Sequence, residues 1–166
     1  MLNLVATTQS RQDVDELAAF FAHLRRPNSM LVREIGDSVR EQFDDNFRLE
    51  GRGNRRWAAL RPRTVRERVR QGYGGSHPIL QRTGKYRRSF TQRSAAYERV
   101  FSSANGWGME MGSNDSRVDE LEGGRPPGSP DMAARPVTNL TRPQETRVGQ
   151  AIDRVLEQMA AAMNRP

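Results

Sequence analysis

WAALRPRTVRERVRQGYGGSHPILQRTGKYRRSF, residues Trp57 to Phe90, carries several structural signals in one run. Trp57 and Leu60 are apolar anchors in an otherwise polar connection. Pro62 suits the first turn of a helix, where a missing N–H costs nothing, and a short helix is expected over Thr64 to Gln71. Arg63, Arg66, Arg68 and Arg70 dominate that segment, and only Val65 and Val69 are apolar. A helix this polar belongs on the surface or inside a subunit contact. GYGGSHP, residues 72–78, reads as a flexible connection. Thr83-Gly84 marks a turn or a helix start, and a strand is expected over Arg88 to Ser94.

The charge of this region matters as much as its pattern. Between Gly51 and Val100 stand fourteen basic side chains and two acidic ones, Glu67 and Glu98, a net of +12. The first fifty residues hold six basic and nine acidic side chains, and the last sixty-six hold seven and nine. The formal net charge of +7 therefore hides a basic middle between mildly acidic flanks. Such a block calls for nucleic acid, an acidic neighbour, or water and counterions. Lys85 is the only lysine. A forked guanidinium pairs with carboxylate and phosphate alike, and codon bias in a GC-rich genome explains the arginine preference equally well.

Upstream, Asp13 to Leu24 reads as a short amphipathic helix with Val14, Leu17, Ala18 and Phe21 on one face. Ser10 and Asp13 resemble a capping box, and Pro27 ends the element. A longer helix is expected from Met30 to Leu49, where Leu31, Ile35, Val39, Phe43 and Phe47 recur every four residues. Ser29 or Asn28 can cap it. Its opposite face carries Arg33, Asp37, Arg40 and Asp44, a sign-complementary series at i,i+4. Gly51 and Gly53 mark its exit.

Downstream, Ala96 to Ser103 and Trp107 to Gly112 alternate in the manner of strands. Tyr97, Arg99 and Phe101 share one face, and Trp107, Met109 and Met111 share another. Asn105-Gly106 between them is a hairpin signal. Residues 113–143 are rich in glycine and proline and form a loop without clear periodicity, of the kind that is functional or ordered by a partner. A last helix is expected from Glu145 to Met163, with Val148, Ile152, Val155, Met159 and Met163 in one stripe. No internal repeat is present. The expected fold is α+β: one domain over 1–166, a small, mostly antiparallel sheet packed by N-terminal and C-terminal helices. Residues 1–28 add an N-terminal helical extension, and 113–143 form a long Gly/Pro-rich interface loop.

Composition narrows the function classes. Only 35% of the residues are hydrophobic, so a thin core completed by an assembly is expected. The chain has no cysteine, which removes disulfides, thiolate catalysis and cysteine zinc sites. No apolar run approaches the ~20 residues of a membrane span, and MLNLVATTQSRQD lacks the features of a secretion signal. His23 and His77 have no second ligand at metal spacing, so both read as solvated. Asp44, Asp45 and Glu50 invite a magnesium-nuclease reading, but consecutive helical residues diverge by about 100°. Solvated helix charges are the expectation. Four carboxylates between Asp115 and Glu122 lack the spacing of a calcium loop, and GYGGSH and TGKY lack the ending of a phosphate loop. No enzyme, cofactor or metal is expected. Nucleic-acid binding is the rival reading: Trp57, Tyr73, Tyr86 and Phe90 stand among the cations, where aromatics can stack bases. Against it, no DNA- or RNA-binding signature is legible.

The quoted stretch also resembles the virion morphogenesis, or tail completion, family of Mu-like and P2-like bacteriophages. The resemblance rests on Trp57, Leu60, Pro62, Thr64, Ile79, Leu80, Thr83 and Gly84, then on Gly123-Gly124 and Ala134-Arg135-Pro136. It runs from about Val39 to the C-terminus. The departures are Asp119-Glu120-Leu121-Glu122 in place of a histidine-glutamine-hydrophobic run, Tyr86 in place of a leucine, and the extra N-terminal helix. The resemblance implies a structural virion protein. It would form a ring, six-fold by the symmetry usual in the family, at the head-proximal end of the tail. Its implied partners are its own copies, the tail tube protein and the head-tail connector and neck proteins. DNA would pass through the lumen with at most sequence-blind contact. The implied location is the virion tail or neck, after assembly in the host cytoplasm, with no membrane involved. Charge segregation adds an expected interface: Arg63, Arg66 and Arg70 of one subunit against Asp115, Asp119, Glu120 and Glu122 of the next.

Overall fold

A computed structural model describes residues 18, 22, 24–75, 78–104, 106–124 and 133–163. Ala18, Ala22 and Leu24 are helical, as expected of the first helix. The rest of that element, its Ser10–Asp13 cap, His23, His77 and Asn105 lie outside the described residues.

The backbone of the fold is α1, Ser29–Arg48. Its cap is Asn28, whose Oδ1 accepts from the N–H of Met30 at 2.9 Å and of Leu31 at 3.3 Å. Of the expected stripe Leu31, Phe43 and Phe47 are buried and Ile35 and Val39 half-buried, while Arg40, expected on the opposite face, is buried too. A two-residue hairpin follows, β1 (Gly51–Arg52) against β2 (Arg55–Arg56). No apolar alternation announces strands this short. Gly51 is required by close approach: a Cβ there would lie 2.4 Å from the Arg55 carbonyl oxygen. The helix α2 runs Pro62–Arg70, opening on the proline two residues before the expected Thr64 and closing one before the expected Gln71.

The expected strand Arg88 to Ser94 is replaced by a helix. Residues Lys85–Thr91 form α3, which opens on Gly84 at φ 69°. The spacing that decides this is Tyr86 to Phe90, which is four and not two. Both rings fall on one helical face and bury against α1. Phe90 lies 5.7 Å from Phe43 and 5.8 Å from Phe47, and Tyr86 lies 5.9 Å from Phe47. An alternating strand would have sent polar neighbours into that contact.

The strands β3 (Ala96–Ser103) and β4 (Gly106–Ser113) pair antiparallel through all eight positions, from Ala96↔Ser113 to Ser103↔Gly106. The two faces are those the alternation defined. One carries Trp107, Met109 and Met111 and lies towards α1. There Trp107 Nε1 donates to the Leu24 carbonyl at 3.1 Å, and Arg40, buried in α1, pairs with Glu98. The other face carries Tyr97, Arg99 and Phe101, and the Phe101 ring sits over Gly108, leaving no room for a Cβ. Among the described residues, β3–β4 and β1–β2 are separate two-stranded sheets rather than one. The α+β class holds, but the sheet is a ribbon beside a helical core.

Within the expected loop 113–143, Val118–Gly123 form a short helix, α4, which seats Leu121 in the core. The last helix, α5, runs Arg142–Met163 and starts three residues before the expected Glu145. Thr141-Arg142-Pro143-Gln144 explains the difference. The Thr141 N–H donates to Gln144 Oε1 at 2.9 Å, and the Thr141 hydroxyl donates to the same oxygen at 3.0 Å. This is a capping-box arrangement with proline in the first turn. Ala151 and Val155 bury against the rest, while Ile152 is only half-buried. The core is small, as composition required: Phe43, Phe47, Trp57, Ile79, Tyr86, Phe90, Leu121 and Val137.

Candidate functional site

Of the residues that carry the family resemblance, Trp57, Leu60, Ile79, Leu80, Arg135 and Pro136 gather at one seam of the core, and the others lie apart from it. Trp57 is buried and its Nε1 donates to the Pro136 carbonyl at 3.1 Å. Arg135 returns the tie: its Nη2 donates to the Ala58 carbonyl at 3.1 Å, and its N–H donates to the Leu121 carbonyl at 2.6 Å. Ile79 is buried beside them, with its N–H on Glu50 Oε1. Leu80 adopts φ 60°, a rare conformation for leucine, and packs against the core edge. Leu60 also packs at that edge. Pro62 and Thr64 open α2, Thr83 and Gly84 open α3, Gly124 closes α4 at φ 74°, and Gly123 and Ala134 are exposed. The seam joins segments almost eighty residues apart. The bonds that close it are made by an indole, a guanidinium, the Glu50 carboxylate and backbone carbonyls.

Two buried guanidiniums sit close together here. Arg135 is 7% exposed and Arg68, from α2, is 8% exposed. Burial lowers both from their ordinary value, and repulsion adds to it, from Arg82 on Arg68 and from Arg68 on Arg135. Arg68 Nη1 donates to the Pro78 carbonyl at 3.1 Å. Arg135 Nε is buried without a hydrogen-bond partner. No pattern in the residues marks one arginine of the polar α2 as turning inward. The only legible hint is its position, one residue before Val69 on a helix that must touch the core somewhere.

The carboxylates considered for metal binding point to separate partners. Asp44 takes a forked contact from Arg87 at 2.7 and 2.8 Å, Asp45 pairs with Arg48 and Arg147, and Glu50 caps Ile79. No group of three ligating side chains converges among the described residues. No helix among them is long and apolar enough to cross a membrane.

The acidic stretch expected at a subunit interface is partly consumed inside the chain. Glu122 accepts from the N–H groups of Val137 at 2.7 Å and Thr138 at 3.3 Å and from the Thr138 hydroxyl at 2.9 Å, which fastens the seam. Asp115 takes the Arg117 guanidinium at 2.8 and 2.7 Å. Asp119 and Glu120 remain exposed. The basic and acidic segments flank one groove of about 730 Å3, with Arg63, Glu67 and Arg68 on one wall and Arg117 and Glu120 on the other. At its floor, burial pushes the Tyr86 hydroxyl above its ordinary value, with Glu122 and Asp115 adding to the shift.

Asp115 makes a testable contribution. The Arg117 contact holds its carboxyl at about 2, against an ordinary 3.8. The folded value is depressed, so the stabilisation is present above about pH 4 and is lost as pH falls towards 2. After screening at the half-exposed Arg117, this is worth about 1–2 kcal/mol. Asp115→Asn should lower stability by that amount at neutral pH. It should also flatten the loss between about pH 4 and pH 2, where the wild-type carboxylate titrates. Urea midpoints along a pH series check both, and parallel curves for the two proteins would refute the assignment.

No family model, curated protein or solved structure matches the chain.

Proposed function

We propose that the chain is a structural protein of a bacteriophage virion, a tail-completion or tail-terminator subunit. It acts as a closed ring at the head-proximal end of the tail, between the tail tube and the head connector. The observation that carries this reading is the β3–β4 ribbon. Eight residue pairs stand beside the core with both outer edges unpaired among the described residues. Val100 and Phe101 are more than a third exposed on opposite faces of the ribbon. A lone two-stranded hairpin is marginal in water, and an open edge is a template for another strand. Docking of identical copies would cover these edges and supply burial that the eight-residue core lacks. The reading also draws on the family resemblance, of whose residues Trp57, Ile79, Arg135 and Pro136 pack at one seam.

Sedimentation velocity and negative-stain imaging test the reading directly. The expected result is a closed ring of about six subunits that caps tail tubes lacking their terminator. Replacing Phe101 by aspartate should shift the population to monomer, since the charge lies beside the strand edge. A compact wild-type monomer that never associates with tubes would remove the proposal.

A further inference from the structure

Nine arginines of this chain are committed to ion pairs within it. Arg33, Arg40, Arg48, Arg87, Arg93, Arg99, Arg117, Arg147 and Arg154 all pair with carboxylates of the same chain. Arg63, Arg66 and Arg70 pair with none among the described residues, and all three are exposed. On α2 they fall within about 60° of one another and span about 10 Å of helix. Glu67 stands beside them, but its Oε1 accepts from Gln71 Nε2 at 2.7 Å. Two of the four carboxylates that charge segregation had offered this stripe, Asp115 and Glu122, are bound within the chain.

We propose that the Arg63–Arg66–Arg70 stripe is a sequence-blind contact for the phosphates of duplex DNA. The structure disfavours base stacking. Trp57, Tyr86 and Phe90 are 7%, 3% and 0% exposed, so three of the five aromatics in the basic block cannot reach a base. Of the other two, Tyr73 is half-buried with the Arg82 guanidinium 6.0 Å from its ring centre, and Tyr97 is half-buried on the β3–β4 ribbon with its hydroxyl on Glu110. What the surface offers is guanidinium without a stacking platform, which suits a phosphate backbone and not unstacked bases. An acidic protein partner fits less well. Protein interfaces draw on a desolvated apolar centre, and the exposed Val69 flanks the stripe, about 60° from Arg66 and about 100° from Arg70, rather than sitting at its centre. The inference does not depend on the ring.

The test is fluorescence anisotropy of the full chain with two short duplexes of unrelated sequence and one single strand, over a salt series. The expected result is equal affinity for the two duplexes and weaker binding of the single strand. Three phosphate contacts contribute about 2.7 to the slope of log K against log salt. The R63Q/R66Q/R70Q variant should lose about that much slope, and R63K/R66K/R70K should retain most of it. Circular dichroism confirms that both variants are folded. Absence of duplex binding, an unchanged slope in the glutamine variant, or poly-glutamate competing as well as duplex at equal charge would each overturn the proposal. The last outcome would assign the stripe to an acidic polypeptide. Sedimentation of the same samples reports assembly separately, so a wild-type monomer that shows the slope removes the ring and keeps this inference.

Discussion

Phe47→Ala is expected to cost about 3–5 kcal/mol and to leave the chain close to unfolding at room temperature. Phe47 is 0% exposed, and its ring meets Trp57 at 5.7 Å, Tyr86 at 5.9 Å and Phe90 at 5.8 Å. It touches the seam and α3 at once. A core of eight residues has little with which to collapse into the vacated space, so the upper end of the range applies. Domains of this kind have about 5–15 kcal/mol in total. Leu49→Ala, on a side chain 47% exposed at the same helix end, is the control and should change stability by under about 0.5 kcal/mol. Urea denaturation followed by circular dichroism separates them. Equal midpoints for the two variants would show that the aromatic cluster is not the centre of the fold.

The next largest effect is expected from a polar residue. Asn46 is 0% exposed, next to Phe47 in α1. Its Nδ2 donates to the Val137 carbonyl at 2.9 Å, and its Oδ1 accepts from Gln144 Nε2 at 3.0 Å. One amide thus joins α1, the seam and α5. Asn46→Ala leaves a buried carbonyl without its donor and a buried amide without its better acceptor. Each such group costs about 1–3 kcal/mol, so a loss near 3 kcal/mol is expected. Gln144 also donates to the Gln42 carbonyl at 3.4 Å, which softens but does not replace the contact. A double-mutant cycle with Gln144→Ala should give a coupling of about 1 kcal/mol or more. Strict additivity would mean that the pair is not an energetic unit.

Where one spacing dominated, the sequence was enough to place the elements. The four-residue recurrence from Leu31 to Phe47 marked α1, and the alternation about Gly106 marked the ribbon with its faces correctly assigned. Pro62 marked the entry of α2, although the helix was expected two residues later, from Thr64. Between Tyr86 and Ser94 two periods compete, and tertiary packing on Phe47 chose the helical one. The turn Gly51–Arg56 was hidden because strands of two residues leave no pattern. Thr141 to Gln144 was legible in principle, since a threonine followed three residues later by glutamine is a known helix opening. The charge segregation of the sequence is real, but it does not reveal that Asp115 and Glu122 spend their charge locally. Pairing within a chain depends on which residues the fold brings together, and residue counts carry no such information.

The hydrogen bonds that join Trp57 to Pro136, Asn46 to Val137 and Asn46 to Gln144 bridge 79, 91 and 98 residues. Contacts this distant along the chain slow folding, because loop closure must precede any gain from them. On the ribosome, α1 and α3 emerge long before the segment that covers them. A nascent chain therefore keeps its aromatic centre unfinished until Val137 and α5 have been made, and any binding that requires the finished shape waits for α5 to dock.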